Sequence, residues 1–138
     1  MTLHPALLSD MLQDEVSAAR VRLGSRIAGL ELKGHNVICT LEGTNVGTAL
    51  LRLDARDYDA QPMAFAVVQP DGTMADRAGW PGQLFHSLHS VLDRPWACVQ
   101  GTYEYHCWPA HTADRWDALR ATLRLPHLLD HLVKRAGK

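Results

Sequence analysis

The fold class is decided by residues 34–53, which read G-H-N-V-I-C-T-L-E-G-T-N-V-G-T-A-L-L-R-L. Turn-forming residues occupy 34–36 and 42–45, and the segments 37–41 and 47–53 are apolar and rich in strand-forming residues. Strands joined by turns this short pair antiparallel, because a parallel pair needs a long crossover connection. This stretch therefore predicts the centre of an antiparallel meander.

Two further strands flank this centre. Residues 27–32 precede the first turn, and residues 63–68 read M-A-F-A-V-V before a turn at 70–72. Because no helical pattern interrupts these segments, the sequence predicts a four-stranded antiparallel meander. We expect one face of the sheet to be covered by a helix that precedes it.

That helix is predicted over residues 5–23. Its apolar residues recur at helical spacing: Leu8, Leu12, Val16, Ala19 and Leu23. Pro5 suits a first helical turn, and Gly24 suits the position where a helix ends.

Two more helices are predicted towards the C-terminus. The first begins at Thr112, a good N-cap, and ends before Pro126, since Leu125 is biased out of helical geometry by the proline that follows it. The last helix carries four apolar residues: Leu128, Leu129, Leu132 and Val133. The whole pattern predicts an α+β fold with an N-terminal helix, a four-stranded antiparallel meander, a hairpin or loop that carries the site, and two C-terminal helices.

The composition is that of an ordinary globular protein. With 138 residues, 46% hydrophobic and 21% charged, we expect residues 1–138 to form a single domain. The net charge of -1 argues against a main role in coating nucleic acid or anionic membrane. The three cysteines do not resemble a secreted disulfide scaffold, and neither a membrane span nor a signal peptide is evident, which favours a cytoplasmic location.

Reactive side chains are concentrated in residues 96–116, W-A-C-V-Q-G-T-Y-E-Y-H-C-W-P-A-H-T-A-D-R-W. Before this stretch, residues 83–92 fit either a short helix or an irregular loop, in which we expect His86 and His89 to be solvated or locally bonded. Within it, residues 102–108 alternate aromatic and polar side chains, which predicts a strand that forms a hairpin with residues 95–99.

In such a strand, Glu104 and His106 share one face, and Cys107 points to the other. A three-residue turn ending at Gly101 brings Cys98 to the face of Glu104 and His106, whereas a two-residue turn points Cys98 away. We favour the longer turn, because Gly101 then occupies the left-handed position that requires glycine.

His111 follows across Trp108-Pro109 and can fold back towards the same point. Cys98, Glu104, His106 and His111 would then supply a thiolate, a carboxylate and two imidazoles, a set that suits Zn²⁺ and also Fe(II) or another divalent transition metal. The alternative is that the same side chains form a hydrogen-bonded polar cluster without a metal.

The order Cys98, Glu104, His106, His111 resembles the signature of a predicted metal-binding family that is named for its Cys-Glu-His-His residues. Proteins of that family are encoded beside bacterial ubiquitin-like modification genes. The resemblance implies that these four residues are metal ligands in an accessory protein. It also implies a bacterial cytoplasmic setting and, as partners, a ubiquitin-like protein with its activating and conjugating enzymes.

The plan of the whole chain is similar to that of ubiquitin-conjugating enzymes. Residues 57–62 resemble their Tyr-Pro…Pro-Pro loop, residues 108–110 resemble their Trp-x-Pro segment, and His89 precedes Cys98 by about the interval between their His-Pro-Asn motif and the catalytic cysteine. Ser90-Val91 replaces the Pro-Asn of that motif, so the asparagine that stabilises the oxyanion is missing. This departure allows a conjugating-enzyme fold in which Cys98 has become a metal ligand.

Three functional hypotheses follow. The first is the metal-binding accessory protein. The second is a ubiquitin-conjugating-enzyme-like transferase in which Cys98 forms the thioester, its pKa lowered by His106 or His111. The third is a metal hydrolase with Glu104 as general base. Cys98 distinguishes the first two, because it cannot be both a saturated ligand and a free nucleophile.

Overall fold

The predicted meander is confirmed in the structure, a computed structural model that describes residues 3–138. Its strands are β1 (Gly29–Lys33), β2 (Asn36–Thr44), β3 (Gly47–Asp54) and β4 (Ala64–Val68). They pair antiparallel in the order β1-β2-β3-β4, so each strand lies beside its neighbour in sequence.

One face of this sheet is buried. Along β2, Val37, Cys39 and Leu41 are buried and alternate with more exposed residues, as the period of two in a strand requires. On β3, Leu51 and Leu53 are buried in the same way, and Cys39 lies directly opposite Leu51. The inward side chains of neighbouring strands therefore form a continuous apolar surface.

Helix α1 (Pro5–Leu23) covers this surface, and the predicted helix is confirmed. Four of its predicted apolar residues are buried: Leu12, Val16, Ala19 and Leu23. The Nδ1 atom of His4 accepts the N–H of Ala6 at 3.1 Å and caps the helix, which ends at Gly24 with a φ of 54°.

The C-terminal helices are confirmed, but they begin at other residues than predicted. α3 (Trp116–Leu119) is only four residues long, and Thr112 follows a single 3-10 turn instead of capping a helix. α4 (Leu125–Ala136) contains Pro126 in its first turn, where the missing N–H of proline is not needed. The N–H of Leu125 is accepted by Glu15 Oε1 at 3.0 Å, so a contact from α1 fixes the start of α4.

The predicted hairpin between residues 95–99 and 102–108 is wrong. β6 (Pro95–Trp96) pairs instead with β5 (Ser87–Leu88). β5 lies in residues 83–92, for which the sequence allowed either a short helix or an irregular loop. Residues Tyr103–Cys107 form a short helix, α2. The side chains of residues 104–107 therefore follow helical directions and not the alternation of a strand.

Thr102 explains this difference. Its hydroxyl accepts the N–H of Tyr105 at 3.2 Å, which is the bond of a helix N-cap. The N–H of Thr102 bonds to Val99 O at 3.2 Å and closes a tight turn in which Gly101 has a φ of 100°. The left-handed conformation predicted for Gly101 is thus confirmed, but the turn leads into a helix.

Side chains from α1, the four meander strands and α4 meet in one hydrophobic core. Within residues 3–138, no helix has both the length and the apolar content that crossing a membrane requires.

Candidate functional site

Helix α2 determines where the reactive side chains of residues 104–107 lie. Successive helical residues are rotated by about 100°, so Glu104 and His106 do not share a face as they would in a strand. Glu104 is 1% exposed, whereas His106 and Cys107 are partly exposed. The alternation of side chains in a strand, which pointed Cys107 away from Glu104 and His106, therefore does not apply.

Both carboxylate oxygens of Glu104 are bound by protein groups. Oε1 accepts the N–H of Phe65 in β4 at 2.8 Å, and Oε2 accepts a hydrogen bond from the guanidinium of Arg94. A buried carboxylate needs such partners, and a cationic donor strengthens the bond. Glu104 thereby fastens α2 to β4 and to the segment that leads to Cys98.

His89 organises that segment from the inside. It is 1% exposed, and its Nδ1 atom accepts the N–H groups of Val91 and Leu92, both at 3.1 Å. Because amides only donate through nitrogen, the proton lies on Nε2, which donates to the backbone oxygen of Glu104 at 2.8 Å. His89 is therefore a neutral imidazole in one tautomer, locally bonded as expected.

Two tryptophans close over His89. The rings of Trp96 and Trp108 are stacked with centroids 4.9 Å apart and planes inclined by 23°. The ring of His89 meets both edge-on, at 5.0 and 5.3 Å. Aromatic pairs in these geometries stabilise a cluster beyond the area that they bury, so the start of the reactive stretch is held against its middle here.

His106 and His111 are connected through Tyr105 and Asp114. His106 donates from Nδ1 to Asp114 O at 2.9 Å and accepts the N–H of Gly101 on Nε2 at 3.2 Å. The ring of His111 stacks on Tyr105 with centroids 3.8 Å apart, and its Nδ1 bonds to Tyr105 O at 3.1 Å. The hydroxyl of Tyr105 donates to the Asp114 carboxylate at 2.7 Å.

These contacts shift the pKa values of His106, Asp114 and Tyr105. Burial lowers the pKa of His106, which agrees with a neutral ring that accepts on Nε2. The hydrogen bond from Tyr105 lowers the pKa of the Asp114 carboxyl, and the same bond raises the pKa of Tyr105 to about 12. At neutral pH, Asp114 is the anion of this cluster.

Cys107 belongs with these residues. It lines a cavity of about 270 Å³ together with Tyr103, His106, His111 and Asp114. Its side chain lies next to the Tyr103 hydroxyl and raises the pKa of that phenol. One thiol, two imidazoles and two carboxylates, those of Asp114 and Asp117, therefore line one open cavity, and strand alternation missed the thiol.

Cys98 lies elsewhere. It follows β6 in a tight turn that the hydrogen bond from Val99 N–H to Ala97 O closes at 2.9 Å, is half-buried, and lines a cavity of about 260 Å³ with Gln100 and basic residues at the end of α4. Burial raises the pKa of the Cys98 thiol, and the nearby cation of Arg135 opposes that effect. The thiol is free and is not part of a disulfide.

The four residues predicted as metal ligands are thus divided between three places. Cys98 lines one cavity, His106 and His111 line another, and Glu104 is buried in the core. Both Glu104 oxygens and both His106 nitrogens already bond to protein groups. Among the residues that the structure describes, no three His, Cys, Asp or Glu side chains are arranged to hold a metal ion. Zinc binding by these four residues therefore requires Glu104 and His106 to exchange their present partners.

No protein-family model matches this chain, and no curated protein matches it either. The resemblances in the sequence therefore rest on the quoted residues alone.

Proposed function

We propose that this protein acts in a bacterial, cytoplasmic ubiquitin-like modification pathway and that its Cys98 thiol accepts the ubiquitin-like tail as a thioester. The proposal makes the chain a ubiquitin-conjugating-enzyme-like transferase. Its partners are a ubiquitin-like protein and the activating enzyme that delivers it.

The observation that carries the proposal is the position of Cys98. Its free thiol is half-buried at an open cavity, beside Arg135 and apart from the cavity of His106 and His111. A thiol at an open cavity is accessible to a protein-bound thioester, and the neighbouring cation of Arg135 offsets part of the rise in pKa that burial causes.

The segment before Cys98 supports the proposal. His89 anchors it through three hydrogen bonds, and the paired strands β5 and β6 bring it back to the core. A nucleophile on a fixed segment needs less ordering when its partner arrives. The histidine that the conjugating-enzyme resemblance singles out is thus a buried anchor for the segment that leads to Cys98.

The proposed step is a transfer between two thiols. The Cys98 thiolate attacks the carbonyl carbon of the thioester that joins the ubiquitin-like protein to its activating enzyme. A new sulfur–carbon bond forms at Cys98, and the sulfur of the activating enzyme leaves as a thiolate. Arg135 supplies the positive charge that opposes the effect of burial on the Cys98 pKa. His106 is neutral in its present contacts and does not supply this charge.

A charging assay tests the proposal. The protein is incubated with ATP, a ubiquitin-like protein and its activating enzyme from the same organism, and adducts are separated with and without reductant. We expect a reducible adduct in the wild type, a reductant-stable oxyester in Cys98→Ser and no adduct in Cys98→Ala. Cys107→Ser is the matched control and should charge normally. A wild type that forms no adduct, or a Cys98→Ala variant that forms one, contradicts the proposal.

Zinc binding by Cys98, Glu104, His106 and His111 is the second candidate. One observation favours it: His106 and His111 line the same cavity, and Nε2 of His111 makes no hydrogen bond with the described residues. Histidines that orient one nitrogen through a carbonyl and present the other are typical of metal ligands.

Elemental analysis of the purified protein separates the two candidates. One zinc per chain that is lost in both Cys98→Ala and His106→Ala supports the metal site. A metal-free protein whose Cys98 is readily alkylated contradicts it. Cys107→Ala is the control, because Cys107 lies outside the predicted ligand set.

A further inference from the structure

The end of α4 places several basic side chains around Cys98. Lys134 and Arg135 follow His131 by three and four residues on the helix, so each lies next to His131 on the helix surface. They line the Cys98 cavity together with Lys138, and within residues 3–138 no acidic side chain lines it. This cavity is called the basic cavity below.

Among these basic side chains, Asp130 forms an ion pair with Lys134 alone. Asp130 is bound by Arg22 at 3.0 Å and Arg26 at 2.8 Å, and Lys134 approaches it at 3.6 Å. Arg135 and Lys138 form no ion pair with an acidic side chain of the described residues. Two cations beside Cys98 therefore have no acidic partner within the described chain.

The positive surface continues past the basic cavity. Lys134 and Lys138 also line a second cavity of about 440 Å³, which contains Arg26, the exposed Glu42 and the apolar side chains of Leu41 and Val133. Two adjoining cavities that share cations and include apolar surface suit an extended segment better than a single small ion.

From these observations we infer that the basic cavity binds an acidic peptide segment of the protein that presents its acyl group to Cys98. The partner in this inference rests on the proposed function, whereas the preference for carboxylates rests on the cavity alone. The cations of the basic cavity are confined to residues 131–138, and the formal net charge of the whole chain is -1. That confinement favours a short acidic peptide over a nucleic acid, which needs basic groups along its phosphate backbone.

The reaction of Cys98 with two aromatic disulfides tests the charge preference. Dithiobis-nitrobenzoate carries carboxylates, and dithiodipyridine is neutral. In each case the thiolate attacks one sulfur, a mixed disulfide forms, and the aromatic thiolate leaves. A Cys107→Ser background restricts the reaction to Cys98, because Cys39 is fully buried and burial raises its pKa to about 12.

The measured quantity is the rate constant for dithiobis-nitrobenzoate divided by the rate constant for dithiodipyridine. A change in the reactivity of the thiolate affects both rate constants and cancels in this ratio. We expect the ratio to fall about tenfold in Arg135→Glu and in Lys138→Glu, since local charge changes encounter rates by factors of this order. It should also fall in the parent protein when salt rises from about 20 mM to about 500 mM. Arg120→Glu is the charge-matched control, because Arg120 is exposed on another surface and should leave the ratio unchanged.

Unchanged ratios in both cavity variants, or an equal fall in Arg120→Glu, overturn the inference. Thermal unfolding of each variant verifies that it is folded, and Lys138→Glu, at an exposed position after α4, provides a second test if Arg135→Glu is unstable.

Competition identifies the source of the carboxylates. A hexaglutamate peptide should slow the neutral disulfide at Cys98 in the parent protein and not in Arg135→Glu. Protection by inorganic phosphate or an oligonucleotide without protection by hexaglutamate overturns the peptide assignment. A protein that charges with thioester but shows no charge preference contradicts this inference alone, and a charge preference without charging contradicts only the proposed function.

Discussion

Glu104 connects α2 to β4 and to the segment that contains β5 and β6. Its side chain joins α2 to β4 through Phe65 and to Arg94, while its backbone oxygen holds His89. Glu104 was predicted as a metal ligand from its spacing to His106. In the structure, two donors from the protein replace the water molecules that this carboxylate loses on burial.

Substitution of Glu104 is expected to destabilise the fold strongly. Glu104→Ala leaves the Phe65 N–H without its partner and the Arg94 guanidinium without its anion, for an expected loss of about 3 kcal/mol in the free energy of unfolding. Urea unfolding monitored by tryptophan fluorescence measures it. Glu31→Ala removes an exposed ion pair with Lys33 and should change stability by less than about 1 kcal/mol. Equal effects of the two substitutions would contradict this role for Glu104.

Asp130 makes the stability of the fold depend on pH in the acidic range. Hydrogen bonds from Arg26 and Arg22 hold the pKa of its carboxyl at about 2, below its ordinary value of 3.8. A pKa that is lower in the folded state contributes stability above the unfolded value, and this contribution is lost as the pH falls through the folded value.

The difference in unfolding free energy between wild type and Asp130→Asn should therefore be constant from pH 7 to about 5 and decline from about 4 to about 2. Arg26→Gln should weaken this dependence, because it removes the main donor. Chemical unfolding across this range measures both, and a difference that is independent of pH would refute the assignment.

At the scale of elements, α2 depends on its cap. Thr102 is fully buried, accepts the N–H of Tyr105 and donates to Val99 O at 2.8 Å. Thr102→Val keeps the volume and removes both bonds, so we expect a loss of about 1–2 kcal/mol and faster amide exchange in residues 103–107. Thr122→Val, which removes an exposed hydroxyl, should change stability by less than about 0.5 kcal/mol. Unchanged exchange in α2 after Thr102→Val would mean that the cap is not what forms the helix.

The meander was predictable because its signal is repeated. Buried positions alternate along strands of up to nine residues, and turns rich in glycine separate them. For α2, in contrast, the segment is five residues long, and over so short a stretch the periods of a strand and a helix are hard to distinguish. The better signal was Thr102 followed by Glu104 in a first turn, which is typical of a helix start.

Contacts that are distant in sequence were beyond prediction from the residues alone. Arg94 has no motif, and its pairing with Glu104 depends on β5 and β6 turning it inward. The basic cavity likewise requires α4 to pack beside Cys98, although His131 to Lys138 read as an ordinary helix end. The place of Cys107 in the cavity of His106 and His111 was missed for a different reason, because residues 102–108 were wrongly assumed to form a strand.

At the scale of the whole molecule, α1, α4 and the loop before β4 are joined by one network of charges. The guanidinium of Arg124 binds Glu15 on α1 and Asp59 in the loop, the latter at 2.7 Å. Glu15 also accepts the hydroxyl of Tyr58 at 2.9 Å. The acid and base of this pair are mostly buried, with 12% and 24% of their side chains exposed.

A double-mutant cycle between Glu15→Gln and Arg124→Met should give a coupling energy of about 1–2 kcal/mol, because the pair shares one buried network. The same cycle on the exposed pair Arg115 and Asp117 should give at most about 0.5 kcal/mol. Equal coupling in the two cycles would show that the network does not join the elements.

The contact between Glu104 and Phe65 has a consequence for how the sheet meets other proteins. β4 is an edge strand, yet three backbone groups along its outer side are occupied: Met63 O accepts from Tyr103 N–H, Phe65 N–H donates to Glu104, and Val67 O accepts from Ala75 N–H. Occupied groups cannot pair with an added strand. The addition of another strand at this edge, and aggregation through it, are thereby disfavoured.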